Sequence, residues 1–252
     1  MSSPLIIAID GPSGSGKSTL GRMLSRALKL LYIDTGSMYR AVALAAMERQ
    51  LDPQNHEAIV QLSESLEINL EGDPDSLKTL IGFRDVSELI RTESVTEMSS
   101  IVSAIPGVRR AMVTRQRELG RRGAVLNGRD ITTVVFPDAD YKFFLTADPS
   151  ARAERRFLED QGKSSQTTLT ETLADMAERD RRDMTRVDSP LKIADDAIVI
   201  DSTGKSIDEV FLEMMSAIEK SSTGFESCEQ SKSVAASDDD RAPERIATDE
   251  TS

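Results

Sequence analysis

Eight consecutive residues near the N-terminus, Gly11-Pro12-Ser13-Gly14-Ser15-Gly16-Lys17-Ser18, satisfy every fixed position of the pattern G-x-x-x-x-G-K-[ST]. They stand between an apolar run, Leu5 to Ile9, and a segment of helical spacing, Lys17 to Leu28. A strand that turns through glycine into a helix aims backbone N–H groups and the positive helix end at one point, which is where a polyphosphate is held. In such a cradle Lys17 reaches the β- and γ-phosphates and the Ser18 hydroxyl is a Mg²⁺ ligand. Gly11, Pro12, Ser13, Gly14, Ser15, Gly16, Lys17, Ser18 and Thr19 are therefore the candidate ATP-binding residues. The pattern alone does not separate kinases from GTPases or motor ATPases.

The same alternation continues along the chain. Leu31 to Ile33, Ala124 to Leu126, Tyr141 to Leu145 and Ala197 to Ile200 are short, nearly continuous apolar runs, as expected of strands covered on both faces. Ser37 to Arg49, Gly107 to Leu119, Pro149 to Asp160, Leu169 to Asp183 and Ile207 to Ile218 have helical spacing. The expectation is an α/β fold, a parallel five-stranded sheet flanked by helices. One stretch breaks the rule: Leu66 to Leu70, Leu77 to Ile81 and Phe83 to Val86 are strand-like and separated by Gly72-Asp73-Pro74-Asp75 and Gly82. They predict an inserted antiparallel meander at residues 62–102, between core segments 1–61 and 103–220. Residues 221–252 are rich in Ser, Asp, Glu and Ala and are expected to be a disordered acidic tail.

Composition removes several classes of function. One cysteine, Cys228, and one histidine, His56, cannot build a disulfide framework or a Cys/His zinc site within the chain. Cys228 reads as an exposed, non-catalytic thiol, and His56 as a solvated residue at a helix start. The net charge of −12, of which eight acids and three bases in the tail supply −5, argues against a nucleic-acid-holding protein. No apolar run approaches the ~20 residues of a membrane span, and Met1-Ser2-Ser3-Pro4 does not open a signal peptide, so a cytoplasmic protein is expected. The expected partners are small-molecule nucleotides, with no nucleic acid and no membrane, and the expected state is a monomer.

The remaining charges gather where a second anion could be held. Arg129 and Asp130 follow the third strand, at the carboxyl edge of a parallel sheet, beside the P-loop. An arginine there can neutralise phosphate oxygens, and a carboxylate can accept from an exocyclic amine such as cytosine N4, where uracil offers only another acceptor. Mutual pairing of Arg129 with Asp130 is the structural alternative. Arg179, Asp183 and Arg186 fall at i, i+4 and i+7, on one helix face, which is either a binding face or a solvated charged face. Arg152, Arg155 and Arg156 form a third cluster, ahead of the loop Gln161-Gly162-Lys163-Ser164-Ser165-Gln166, which is expected to be mobile.

Several segments together resemble the bacterial cytidylate kinases: Ile9 to Lys17, Asp34-Thr35-Gly36-Ser37-Met38-Tyr39-Arg40, Asn127-Gly128-Arg129-Asp130, Val134 to Ala139, Glu178-Arg179-Asp180-Arg181-Arg182-Asp183 and Asp201-Ser202-Thr203. The similarity runs from about Leu5 to about Ile218, and the meander matches the insert that the bacterial form carries. The resemblance implies a P-loop kinase that moves the γ-phosphoryl group of ATP, with Mg²⁺, onto CMP or dCMP. It implies that Thr35, Tyr39, Arg40, Ser100, Arg109, Arg129, Asp130, Arg179, Asp183 and Arg186 bind the acceptor. Arg40 and Arg129 would hold its phosphate, Arg179 and Asp183 its sugar, and Asp130, Thr35, Arg109 and Arg186 its base. It also implies a short lid at about residues 150–185, whose Arg152, Arg155 and Arg156 close on ATP, with Lys17, Arg129 and Arg155 as the catalytic residues. Two positions depart from the family: Thr35 stands where Ser is common and keeps the hydroxyl, while Asn127 stands where Asp is usual and removes a negative charge near Arg129.

Rival readings remain at this point. A regulatory GTPase needs a guanine-reading segment such as N-K-x-D, and the chain has none. A P-loop kinase for UMP or for a non-nucleotide metabolite fits the same arginine-rich acceptor side.

Overall fold

The computed structural model of the chain describes residues 4–161 and 167–234. The expected mobile loop, beyond Gln161, lies outside the described residues, as does the tail from 235 onward. Strand β1 (Ile6–Asp10) is wholly buried and lies at the centre of a five-stranded parallel sheet. Its neighbours are β6 (Ala124–Asn127) and β7 (Tyr141–Thr146), with β2 (Leu31–Asp34) and β8 (Ile198–Asp201) at the edges, in the order β2-β6-β1-β7-β8. The central strands read as unbroken apolar runs because helices cover both faces. Edge strand β8 instead leaves Ile198 and Val199 half-exposed.

Register decides what the sheet presents. Ile9 lies level with Asn127 on β6, and Asp34 with the same Asn127, so Asp10, Asp34 and Asn127 end their strands together at one carboxyl edge. The helices α1 (Lys17–Leu28) and α2 (Thr35–Glu48) leave directly from that edge. In α2 ten of fourteen residues are buried, four of them alanines, because this helix is packed between the sheet and the insert.

The insert begins where α3 (His56–Ser65) ends and contains β3 (Ile68–Glu71), β4 (Lys78–Ile81) and β5 (Arg84–Asp85), paired antiparallel in that order. The chain returns through α4 (Glu93–Val102), which packs along α2, into α5 (Pro106–Gly120), opened by a proline at its first turn. Burial of Leu66, Ile68, Leu80, Val86, Ile90, Val95 and Val102 anchors it. The exposed pairs Arg26 with Asp75 and Arg84 with Glu48 add little.

After β7 come α6 (Pro149–Gln161) and α7 (Leu169–Thr185), packed on each other. A capping box between Thr168 and Glu171 starts the second of them. Met1–Leu212 form one compact unit, and the meander belongs to it. Glu213–Ser252 form the other, which holds most of α8 (Ile207–Val234). The backbone of α8 continues past residue 220, where the sequence places the start of the acidic tail, as far as Val234. Of the described helices, none is long and apolar enough to cross a membrane.

Candidate active site

A cavity of 560 Å³ opens at the carboxyl edge of the sheet, between the P-loop, the insert and the two helices after β7. Its size suits a small-molecule site. At one end, the chain leaves β1 through Gly11, whose φ is +146° and where a Cβ would lie 2.0 Å from the Leu145 carbonyl oxygen, so only glycine fits. Gly16 takes the left-handed conformation at the N-cap of α1. Ser13, Gly14, Gly16, Lys17, Ser18 and Thr19 line the cavity, while Gly11, Pro12 and Ser15 stand behind them. The Lys17 ammonium folds against the loop, donating to the Pro12 carbonyl at 2.5 Å and to Ser15 Oγ at 3.2 Å. Burial, with Arg129 nearby, lowers its pKa well below the usual lysine range.

Asp10 closes the floor. Its carboxylate accepts from the backbone N–H of Ile131 (3.0 Å) and Thr132 (2.8 Å) and from Thr132 Oγ1 (2.7 Å). These bonds fix a wide π-type turn, Ile131–Val135, immediately after the Arg129-Asp130 pair. Nothing in the sequence pattern announced this turn or the part Asp10 plays in it. Complete burial pushes the Asp10 carboxyl up to about 6, against the pull of the three donors.

At the other end, Arg129 and Asp130 do not pair with each other. Arg129 Nε donates to Asp183 Oδ2 at 2.8 Å, across to α7, while Asp130 is clasped by the Arg109 guanidinium from α5. Arg109 also donates to the Ser103 carbonyl at 3.0 Å and lies 5.3 Å from the centre of the Tyr39 ring. Arg186 donates to Asp183 Oδ1 (3.1 Å) and to the Ser189 carbonyl (2.7 Å), and its Nη2 stands 3.9 Å from Asp130 Oδ1. Arg40 leans on Asp34 at 3.1 Å, the residue that also caps α2. Burial works against the charge on Asp183, yet Arg129, Arg186 and Arg179 hold its carboxyl below the usual carboxylate range. Arg179 is pushed down to about 10 by burial and by Arg129 beside it.

Guanidinium N–H groups in this ring have donors to spare. Arg40 Nε, Arg109 Nε and Arg186 Nη2 are buried without a hydrogen-bond partner among the described residues. A buried unsatisfied donor is costly unless something polar meets it, and three around one cavity mark an anion-binding end. Asn127 Oδ1 is likewise buried and unpartnered, while Asn127 Nδ2 donates to Ser18 Oγ at 3.3 Å. The Ser18 hydroxyl lines the cavity at the phosphate cradle and is a hard oxygen donor that fits Mg²⁺, an ion that keeps most of its waters and takes charge from phosphates, whereas the group Asn127 turns towards Ser18 is its amide N–H₂. Thr35 sends its hydroxyl to the Asn127 carbonyl at 2.8 Å, so its proton is spent on the sheet edge.

Among the expected binding residues, Thr35, Tyr39, Arg40, Ser100, Arg109, Arg129, Asp130, Arg156, Arg179, Asp183 and Arg186 all line the cavity. Arg152 and Arg155 do not. Arg152 is buried against the P-loop backbone, and Arg155 donates to Ser202 Oγ (2.9 Å) and to the Ser202 carbonyl (2.6 Å). Arg22 and Arg91 also face the cavity and were not singled out by the sequence, since neither belongs to a motif.

The cytidylate kinase family profile matches residues 7–220. The chain is 46% identical over 212 residues to a protein of a Geobacter species named cytidylate kinase, covering 84% of this chain and 91% of that one. It is 44% identical over 238 residues to one from Syntrophotalea carbinolica, covering 94% and 100%. Another, from Bacillus cereus, is 42% identical over 219 residues, covering 86% and 97%. Both carry the same name as the first.

Proposed function

The chain belongs to the cytidylate kinase family, and from that premise we propose that it transfers the γ-phosphoryl group of ATP to CMP or dCMP, leaving ADP and CDP or dCDP. The observation that carries the reading is one cavity with a phosphate cradle at one end and, at the other, three guanidiniums with unspent donors around a buried carboxylate. Two anions can be held there end to end.

On this reading the backbone amides of the P-loop and the Lys17 ammonium grip the β- and γ-phosphates. Arg40 and Arg129 hold the acceptor phosphate, each kept in place by a carboxylate behind it, Asp34 and Asp183. The acceptor oxygen is already anionic, so no strong general base is required. Positioning and neutralisation of charge supply the catalysis. Asp130, oriented by Arg109, accepts from the exocyclic amine of cytosine, while Arg186 offers a donor to the same end of the base. Ser100 and Tyr39 complete the acceptor wall. Ser18 would hold Mg²⁺ through its hydroxyl, and the ion would supply neutralising positive charge to the phosphate oxygens of the donor. The closing helix α6 brings Arg156 towards the phosphoryl group in transfer.

A coupled assay of ADP release with CMP, dCMP, UMP, AMP and shikimate tests the reading. CMP and dCMP are expected to be turned over well, UMP poorly, AMP and shikimate scarcely at all. Shikimate or AMP matching CMP would overturn it.

A further inference from the structure

Asp180, on α7, faces away from the ring of acceptor residues and towards the P-loop. Its Oδ1 accepts from the backbone N–H of Ser13 at 3.1 Å, and its Oδ2 from Arg152 Nη1 at 2.5 Å. The same Arg152 Nη1 donates to the Ser13 carbonyl at 2.9 Å, and Arg152 Nε to the Ala147 carbonyl at 3.1 Å. Both backbone polar groups of Ser13, its N–H and its carbonyl, are thus held by one buried ion pair, its halves drawn from α7 and α6. The packing is equally direct at Gly14. A Cβ there would lie 2.8 Å from the Arg152 carbonyl oxygen and 3.0 Å from Met176 Cε.

Three residues after Asp180, the same helix carries Asp183, which holds Arg129 at 2.8 Å and Arg186 at 3.1 Å. At about 1.5 Å of rise per residue the two carboxylates stand within a single turn. A turn of helix is stiff, so an anion that fixes Arg129 and Asp183 also fixes Asp180 and, through it, the apex of the P-loop. Burying an ion pair is a poor way to gain stability, because desolvation consumes most of the attraction. Any free energy needed to seat that turn would be spent once, by whichever nucleotide binds first.

We infer that Asp180 is a positioning residue that fixes the P-loop apex relative to the acceptor-phosphate arginine, so that binding of the triphosphate and of the monophosphate strengthen each other. The inference rests on the kinase reading above.

Calorimetry of CMP binding to the full chain, with and without a non-hydrolysable ATP analogue and Mg²⁺, measures the coupling. Wild type is expected to bind CMP about 5-fold or more tightly with the analogue present. Asp180→Asn, which keeps an acceptor for Ser13 but loses the charge opposite Arg152, is expected to bring that ratio within about 2-fold of unity and to lower kcat about 10-fold. A residue that served stability alone would lower the melting temperature and leave the ratio where it was. Should Asp180→Asn fail to fold, Arg152→Lys keeps the charge and gives up the fork to Ser13 and Ala147, and the same loss of coupling is expected of it. A folded variant with the wild-type ratio, or a wild type whose ratio is one, overturns the inference. A wild type that binds no CMP under either condition overturns the kinase reading instead.

Discussion

The carboxylate of Asp130 and the guanidinium of Arg109 meet in the wall of the cavity, with side-chain exposures of 5% and 2%. Two charges so far from water depend on each other. Tyr39 supports the arginine through its ring face, and among the described residues the second cation near the carboxylate is Arg186, at 3.9 Å. Truncating Arg109 to Met leaves Asp130 buried and nearly unpaired, and is expected to cost about 3–5 kcal/mol in urea unfolding.

The converse substitution tests recognition more than stability. Asp130→Asn offers two guanidiniums a neutral amide whose N–H₂ group suits a base acceptor as well as a donor. The ratio of kcat/KM for CMP over UMP is expected to fall by at least about 10-fold, in line with the ~1–3 kcal/mol carried by one well-placed base contact. An unchanged ratio would remove Asp130 from base recognition.

Among the described residues the hydrogen-bond partners of Lys17 are the Pro12 carbonyl and Ser15 Oγ, neither of them a carboxylate. Lys17→Ala is expected to lower kcat by about 10³-fold or more while the KM for CMP changes little, because the ammonium acts on the transferring phosphoryl group. Steady-state kinetics at saturating CMP decide it. Near-normal turnover would deny the P-loop its catalytic part.

The elements that could be read from the sequence were those whose local pattern and final surroundings agree. Strand β1 is apolar throughout because it is central, and the glycine at position 11 is required by backbone contact with Leu145, so the phosphate cradle was plain from the residues. The helices that alternate with the core strands and the three meander strands followed from the same agreement, while α3 (His56–Ser65) was not among the expected helices beyond the start read at His56. Less was visible where partners come from far along the chain. Asp10 reads as the end of a strand, yet its bonds run to Ile131 and Thr132. Arg152, Arg155 and Arg156 are neighbours in sequence, but each meets a different part of the fold, because successive helix positions point about 100° apart. The helix α4 was absorbed into the expected meander, since its Glu93–Val102 run is short and its neighbours are turn residues.

Asp10 gives the site a measurable titration. Its carboxyl is raised from 3.8 to about 6, so the folded state binds the proton more tightly than the unfolded chain does. The contribution to stability is therefore complete below about pH 4 and is lost as the pH rises through 6. At roughly 1.4 kcal/mol per pH unit the difference comes to about 3 kcal/mol. The stability of wild type relative to Asp10→Asn is expected to fall by that amount between pH 3 and pH 7, and the Asp10 carboxyl carbon in NMR to titrate near 6. A midpoint at the ordinary value of about 3.9 would show that the three donors outweigh burial.

Arg155 and Arg156 give helix α6 two different attachments. Arg155 sends both terminal nitrogens to Ser202, on the loop after β8, and so ties α6 to the sheet edge. Arg156 lines the cavity and meets Glu159 one turn on, at 3.6 Å, a pair exposed enough to give way to an anion. Removing a donor that meets charge developing in the transition state costs about 10²–10³ in kcat. Losing two hydrogen bonds that hold a helix in place costs stability instead, about 1–3 kcal/mol. Arg156→Ala is accordingly expected to lower kcat by about 100-fold with little change in unfolding. Arg155→Ala is expected to lose stability and less than about 10-fold in kcat. Steady-state kinetics beside urea unfolding of both variants give the comparison. If Arg155→Ala proves the slower enzyme, Arg155 must leave Ser202 in the reacting complex, and α6 must turn about its own axis when the donor nucleotide binds.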